Sequence, residues 1–186
     1  PNTLYRFQML APGQLSEDNV RTFAYVVVDA GTGVFPAIQA DLSRYVRAGG
    51  AVWILLPRSG APGGKIPLAD TTLLSMSQGA ERGELRLDTL AQAHPILEGL
   101  EGLRGVRFLS AWKVDENGFT VLARLGDQTP VLLEKQVGDG RVLLLTSALD
   151  SASNDLPLQP VFVPFMERVS RYLSGLTARG SSRHID

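Results

Sequence analysis

FAYVVVDAGTGVFPAIQADLSRYVRAGGAVWILL, residues 23–56, decides the fold class. Phe23 to Val28 is a nearly unbroken apolar run rich in valine, the pattern of a parallel strand covered on both faces. Asp29-Ala30-Gly31-Thr32-Gly33 follows at once as a strand-end turn. From Pro36 to Ala48, Ile38, Leu42, Tyr45 and Val46 share one helical face, with Asp41, Arg44 and Arg47 on the other. Pro36 suits a first helical turn, and Gly49-Gly50 supplies a left-handed stop. AVWILL, residues 51–56, is a second buried strand. The three pieces make a β-α-β unit, whose crossover is expected to be right-handed.

Working outward, Leu4 to Leu10 alternate loosely as a short strand would, and Ser16-Glu17-Asp18 forms an N-cap with first-turn acids. PRSGAPGG, residues 57–64, is too rich in proline and glycine for regular structure and reads as a mobile rim loop. The spacing predicts a short helix over 68–76 and an edge strand over 84–90. Strand-like runs then cover 106–114, 119–125, 131–137 and 142–146, parted by Asp115-Glu116-Asn117-Gly118, Gly126-Asp127-Gln128 and Gly138-Asp139-Gly140. Asn117-Gly118 and Asp139-Gly140 are hairpin signals, so the second half reads as a β meander. A closing helix over 160–176 places Val161, Phe162, Phe165, Val169, Tyr172, Leu173 and Leu176 on one side. No long polar linker separates the halves. The chain is therefore expected to be one α/β domain over 1–176 with a mixed, mostly parallel sheet, antiparallel strands in its C-terminal half, and a disordered tail over 177–186.

The 186 residues suffice for a core of their own. A formal net charge of -1 with interspersed signs gives no field for nucleic acid or an anionic membrane. No apolar run is long enough to span a bilayer, so direct membrane insertion is not expected. The absence of cysteine excludes disulfides, thiolate metal sites and a cysteine nucleophile. Neither a metal nor a cofactor is expected.

Three segments carry a family resemblance: AYVVVDAGTG with LSRYVRAGGAVWILLP, then TPVLLEKQVGDGRVLLLTSALD, then NDLPLQPVFVPFMERVSRYL. They resemble the class I glutamine amidotransferase-like domains of bacterial aerotolerance-type membrane proteins, which often also carry a von Willebrand factor A domain. The resemblance implies a flavodoxin-like three-layer sandwich, held extracytoplasmically by a membrane-anchored parent. It also implies partners among the other domains or subunits of a membrane-associated assembly. Working amidotransferases attack glutamine with a cysteine at a sharp strand-to-helix turn, aided by a histidine and a carboxylate. The comparable turn here is Leu56-Pro57-Arg58-Ser59, and the late His-x-Glu pair is missing. Glutaminase chemistry is excluded, and the expectation is a binding or assembly module without catalytic residues.

The alternative is a hydrolase or small-ligand enzyme at the strand ends. Ser59 with His94 as base and Asp29 or Asp150 as orienter is the triad available, although Pro57-Arg58-Ser59-Gly60 lacks the G-x-S-x-G elbow. Asp29, Gly31 and Gly33 stand where open α/β sheets bind ligands, and they equally suit a turn. Arg58 and Ser59 on the next loop extend this ligand-binding set. Asp150 and Asn154, with Asp155, form a polar loop after the last strand without calcium-loop spacing. The structural reading of the same loop is that Asn154 or Asp155 satisfies backbone donors before Leu156-Pro157 and so fixes how the last helix enters. Phe108 and Trp112 read as packing residues rather than ligand stackers.

Overall fold

Two strands and the helix between them set the frame. The computed structural model describes residues 6–30, 35–66, 68–79 and 85–175. Strand β1 (Val26–Asp29) runs parallel to β2 (Ala51–Leu55), with Val26 opposite Val52 and Asp29 opposite Leu55. Before them comes α1 (Glu17–Val20), where the hydroxyl of Ser16 accepts from the Asn19 amide and the Asn19 side chain accepts from the Ser16 amide. This reciprocal cap satisfies two of the free donors of a very short helix. Between the strands lies α2 (Phe35–Arg47), which ends where Gly49 takes a φ of 101°.

Alternation along β2 sorts the core into two. Val52, Ile54 and the following Leu56 pack with Ile38, Leu42 and Val46 of α2, whereas Ala51 and Trp53 point to the opposite face. The latter face is covered by α3 (Phe162–Leu173), whose Phe165 meets the Trp53 ring edge-on at 6.2 Å between centroids. Phe165, Val169 and Leu173 are buried there at helical spacing.

From β2 the chain enters a smaller antiparallel sheet made of β3 (Lys65–Ile66), β4 (Thr71–Gln78) and later β7 (Ser110–Val114). The large sheet is completed by β5 (Leu85–Leu90), β6 (Arg107–Phe108), β8 (Thr120–Leu125), β9 (Pro130–Val137) and β10 (Gly140–Leu145). Its order is β1-β2-β10-β9-β8-β5-β6. The fold is thus mixed α/β, but only β1 with β2 and β2 with β10 pair in parallel; the other neighbours are antiparallel. That corrects the expectation of a mostly parallel sheet. The short hairpin connections of the second half impose antiparallel pairing.

Other departures have identifiable causes. Residues 68–76 contain strand β4 rather than a helix, because Thr71, Leu73 and Ser77 are buried, Thr71 pairs with Ile66 of β3, and Leu73 to Gln78 pair along β7. The run 106–114 splits at Leu109, where the amides of Leu109 and Ser110 both donate to the Ser153 carbonyl and send the chain from one sheet to the other. Asn117-Gly118 therefore joins strands of different sheets and closes no hairpin, while the turns at Gly126–Gln128 and Gly138–Asp139 do. Strand β5 is interior, between β8 and β6. Residues 6–10 pair with no strand; Leu4, Tyr5 and the expected tail over 177–186 lie outside the described residues. No helix among the described residues is long and apolar enough to cross a membrane.

Candidate functional site

Ligands of open α/β sheets bind beyond the carboxyl ends of the parallel strands. In this molecule that position is occupied by β7. The Trp112 amide donates to the Thr146 carbonyl at 2.8 Å, just past β10, and the Trp112 indole donates to the Pro57 carbonyl at 2.8 Å, just past β2. Thr146 in turn donates its hydroxyl to Pro130 O at 2.6 Å, and Ser147 donates to Ser110 O at 2.8 Å. Trp112 is 2% exposed. The chain leaving β2 turns into β3 and never enters a helix, so it builds no strand-to-helix elbow.

The candidate residues are dispersed around this plug. Asp29 is exposed at the end of β1, and Gly31 and Gly33 lie outside the described residues. Arg58 and Ser59 are exposed on the rim loop. Asp150 serves its own loop: Oδ1 accepts from the amides of Ala152 and Ser153. Asn154 is fully buried. Its amide nitrogen donates to Ser147 Oγ at 2.9 Å and Ala148 O at 2.6 Å, and its oxygen accepts from the Leu156 amide at 3.1 Å. Asn154 thus fixes the loop that leads to α3. Asp155 accepts from the amide and the Nε of Arg107 and from Gln159, which hold its carboxyl below the usual range against the opposing effect of burial. The described residues hold no group of three or more His, Asp or Glu placed to share a metal ion.

His94 is committed elsewhere. Its Nδ1 accepts from the Ile96 amide, which assigns the ring proton to Nε2, 3.3 Å from Glu134 Oε2. Tyr172 donates to Glu134 Oε1 at 2.7 Å, Arg141 stands 3.7 Å from the same oxygen, and the Arg141 guanidinium lies over the Tyr172 ring at 4.5 Å. The His94 and Tyr172 rings meet edge-on at 4.7 Å. This cluster ties the 94–97 turn, β9, β10 and α3 together on the α3 face of the sheet. The sequence reading reached His94 and missed its three partners, although a glutamate inside the apolar run of β9 was a usable signal.

The cluster makes stability depend on pH. Burial works to raise the Glu134 pKa, but hydrogen bonds from His94 and Tyr172 and the Arg141 charge prevail and hold it below the ordinary value. Its contribution is present above the ordinary glutamate range and is lost as pH falls through the depressed folded value. Burial, with the bond to Glu134, pushes Tyr172 up to about 12 from 10.0. That contribution is complete below pH 10.0 and is lost as pH rises through about 12. Tyr172→Phe is expected to cost about 1 kcal/mol at neutral pH. In urea unfolding, the gap between native chain and variant should narrow above pH 10.0.

No protein-family model and no curated protein matches the chain. Among solved structures it is similar to a cytoplasmic protein from Salmonella typhimurium at 13% identity and TM-score 0.67, over 84% of this chain and 74% of that one. A second cytoplasmic protein from that organism has 15% identity and TM-score 0.66, over 85% and 75%. A cold-adapted beta-galactosidase from a Rahnella species has 16% identity and TM-score 0.50, over 78% of this chain and 21% of the enzyme. At these identities the likeness is one of fold.

Proposed function

We propose that this chain is a non-catalytic, amidotransferase-like module of flavodoxin-like, three-layer character, which binds or assembles with other parts of a larger membrane-anchored bacterial protein on its outer side. The observation that supports this most is the Trp112 plug: the indole bonded to Pro57 fills the place where a nucleophile and its oxyanion donors would have to converge. Ser59 is exposed on the rim, while His94 is held by Glu134 across the sheet from α2. With no cysteine in the chain, no alternative thiol nucleophile exists. The family likeness of the three quoted segments supplies the membrane-anchored setting. The two Salmonella proteins are described as cytoplasmic, so protease accessibility of the domain in intact spheroplasts tests which side it occupies.

The test of the non-catalytic reading is turnover of glutamine and of nitrophenyl esters, phosphates and glycosides by the native chain beside Ser59→Ala. Equal, background rates are expected. Turnover that Ser59→Ala abolishes would overturn the reading.

A further inference from the structure

The turn between β7 and β8 sets a side-chain carboxamide beside an unbonded main-chain amide. Asn117 and Gly118 are both exposed there, and Gly118 takes a φ of 77°. The amides on either side of Gly118 are committed: Asn117 donates to Asp115 Oδ1 at 3.1 Å, and Phe119 donates to the Glu116 carbonyl at 2.9 Å. Among the described groups, none accepts from the Gly118 amide and none bonds the Asn117 carboxamide. The turn also lies against a cation. A β-carbon on Gly118 would stand 3.3 Å from Lys135 Cε and 3.5 Å from Lys135 Nζ. Lys135 is held in that position by the Ala69 carbonyl at 3.2 Å and by the Phe119 ring, whose centroid is 5.1 Å from Nζ.

These are the parts of a ring closure. A main-chain amide that loses its proton can attack the side-chain carbonyl of the residue before it, and glycine at the attacking position puts no side chain in the way. A positive charge beside the attacking nitrogen favours both its anion and the oxyanion of the tetrahedral intermediate. We infer that Asn117-Gly118 is a self-modifying site, at which the folded chain deamidates and forms isoaspartate with the help of the Lys135 charge. Gly118 N gives its proton to solvent hydroxide and bonds to Asn117 Cγ. The Cγ–Nδ2 bond breaks, and Nδ2 takes a proton from water and leaves as ammonia. Water then opens the cyclic imide. Attack at Cγ leaves aspartate; attack at the main-chain carbonyl carbon of residue 117 leaves isoaspartate, whose chain runs on through Cβ and Cγ. Either way the ring nitrogen regains its proton as the Gly118 amide, so water is consumed, ammonia is released and nothing is oxidised. The product sets a new carboxylate beside Lys135, and the isoaspartyl form lengthens the link between the two sheets.

Comparable positions lack these features in the folded chain. Asn154 is fully buried with its carboxamide bonded, and the next amide, that of Asp155, donates to the Arg107 carbonyl at 3.0 Å. The Asn19 carboxamide bonds Ser16 and Gln14, and the Val20 amide donates to the Ser16 carbonyl at 3.0 Å. At Asp139-Gly140 the glycine is buried beneath the end of α2.

The inference goes beyond the binding-module reading and does not depend on it. Its test is a peptide map that separates asparagine, aspartate and isoaspartate, made on the full chain held for weeks in mildly alkaline buffer and, in parallel, in urea. Asn117 is expected to convert at least as fast in buffer as in urea, whereas Asn154 should be slower in buffer by on the order of tenfold or more, because its bonds must open first. Lys135→Gln should slow Asn117 in buffer and leave its urea rate unchanged, with Asn154 still slow as the sign that the variant is folded. Lys135→Arg, which keeps the charge, should retain the faster rate. Conversion at Asn117 that folding suppresses as strongly as at Asn154 overturns the site, and a buffer rate indifferent to Lys135→Gln overturns the part given to Lys135.

Discussion

Gly140→Ala is expected to lower stability by about 3 kcal/mol or more, enough to leave much of the chain unfolded. Gly140 opens β10 where that strand passes beneath the end of α2. A β-carbon there would lie 2.1 Å from both the Val46 and the Gly50 carbonyl oxygens. Both are backbone atoms, and Gly50 O already accepts from the Arg141 amide at 3.1 Å. Relief therefore requires moving α2 away from β10, which would open the core around Leu42, Val46 and Val142. Gly126→Ala is the control: nothing lies within 4 Å of its added carbon, and a change within about 0.5 kcal/mol is expected. Guanidinium unfolding of both variants checks the contrast.

Trp112→Ala is expected to cost about 3–5 kcal/mol, the range for deleting a fully buried large aromatic. Two effects add. The indole leaves a cavity among Leu73, Gly60 and the ends of β2 and β10, and the Pro57 carbonyl loses its donor. Trp112→Phe separates them, since it keeps most of the volume and removes the donor. It should cost about 1–3 kcal/mol, the penalty of a buried acceptor left unpaired. If Trp112→Ala unfolds reversibly, its native state should also take up a small aromatic molecule that the native chain refuses, because the crevice is then open.

The parts of this fold legible in the sequence are those whose cause is local. The β1-α2-β2 unit follows from two apolar runs, a helical stripe and the Gly49 stop; the β9–β10 turn follows from Asp139-Gly140; α3 follows from Phe165, Val169 and Leu173. What stayed hidden depends on distant groups. The break at Leu109 is made by the Ser153 carbonyl, far along the chain. Asn117-Gly118 carries a hairpin signal, yet β7 had already been drawn into pairing with β4. The same capture of β7 puts Trp112 over the strand ends, so a residue readable as packing could not be recognised as the plug. For the polar cluster, His94, Glu134, Arg141 and Tyr172 come from four separate elements, and no spacing rule links them.

The central claim is that the strand-end crevice is closed by Trp112. The chain has two tryptophans, so its proton–nitrogen spectrum contains two indole resonances, and Trp112→Phe identifies which is which. Hydrogen exchange at the Trp112 indole measures the closure directly, with a fragment mixture added in a second run. The indole proton is expected to exchange only as fast as global unfolding permits, and no fragment is expected to displace its resonance. Fast exchange under native conditions, or a saturable shift with one fragment, would contradict it.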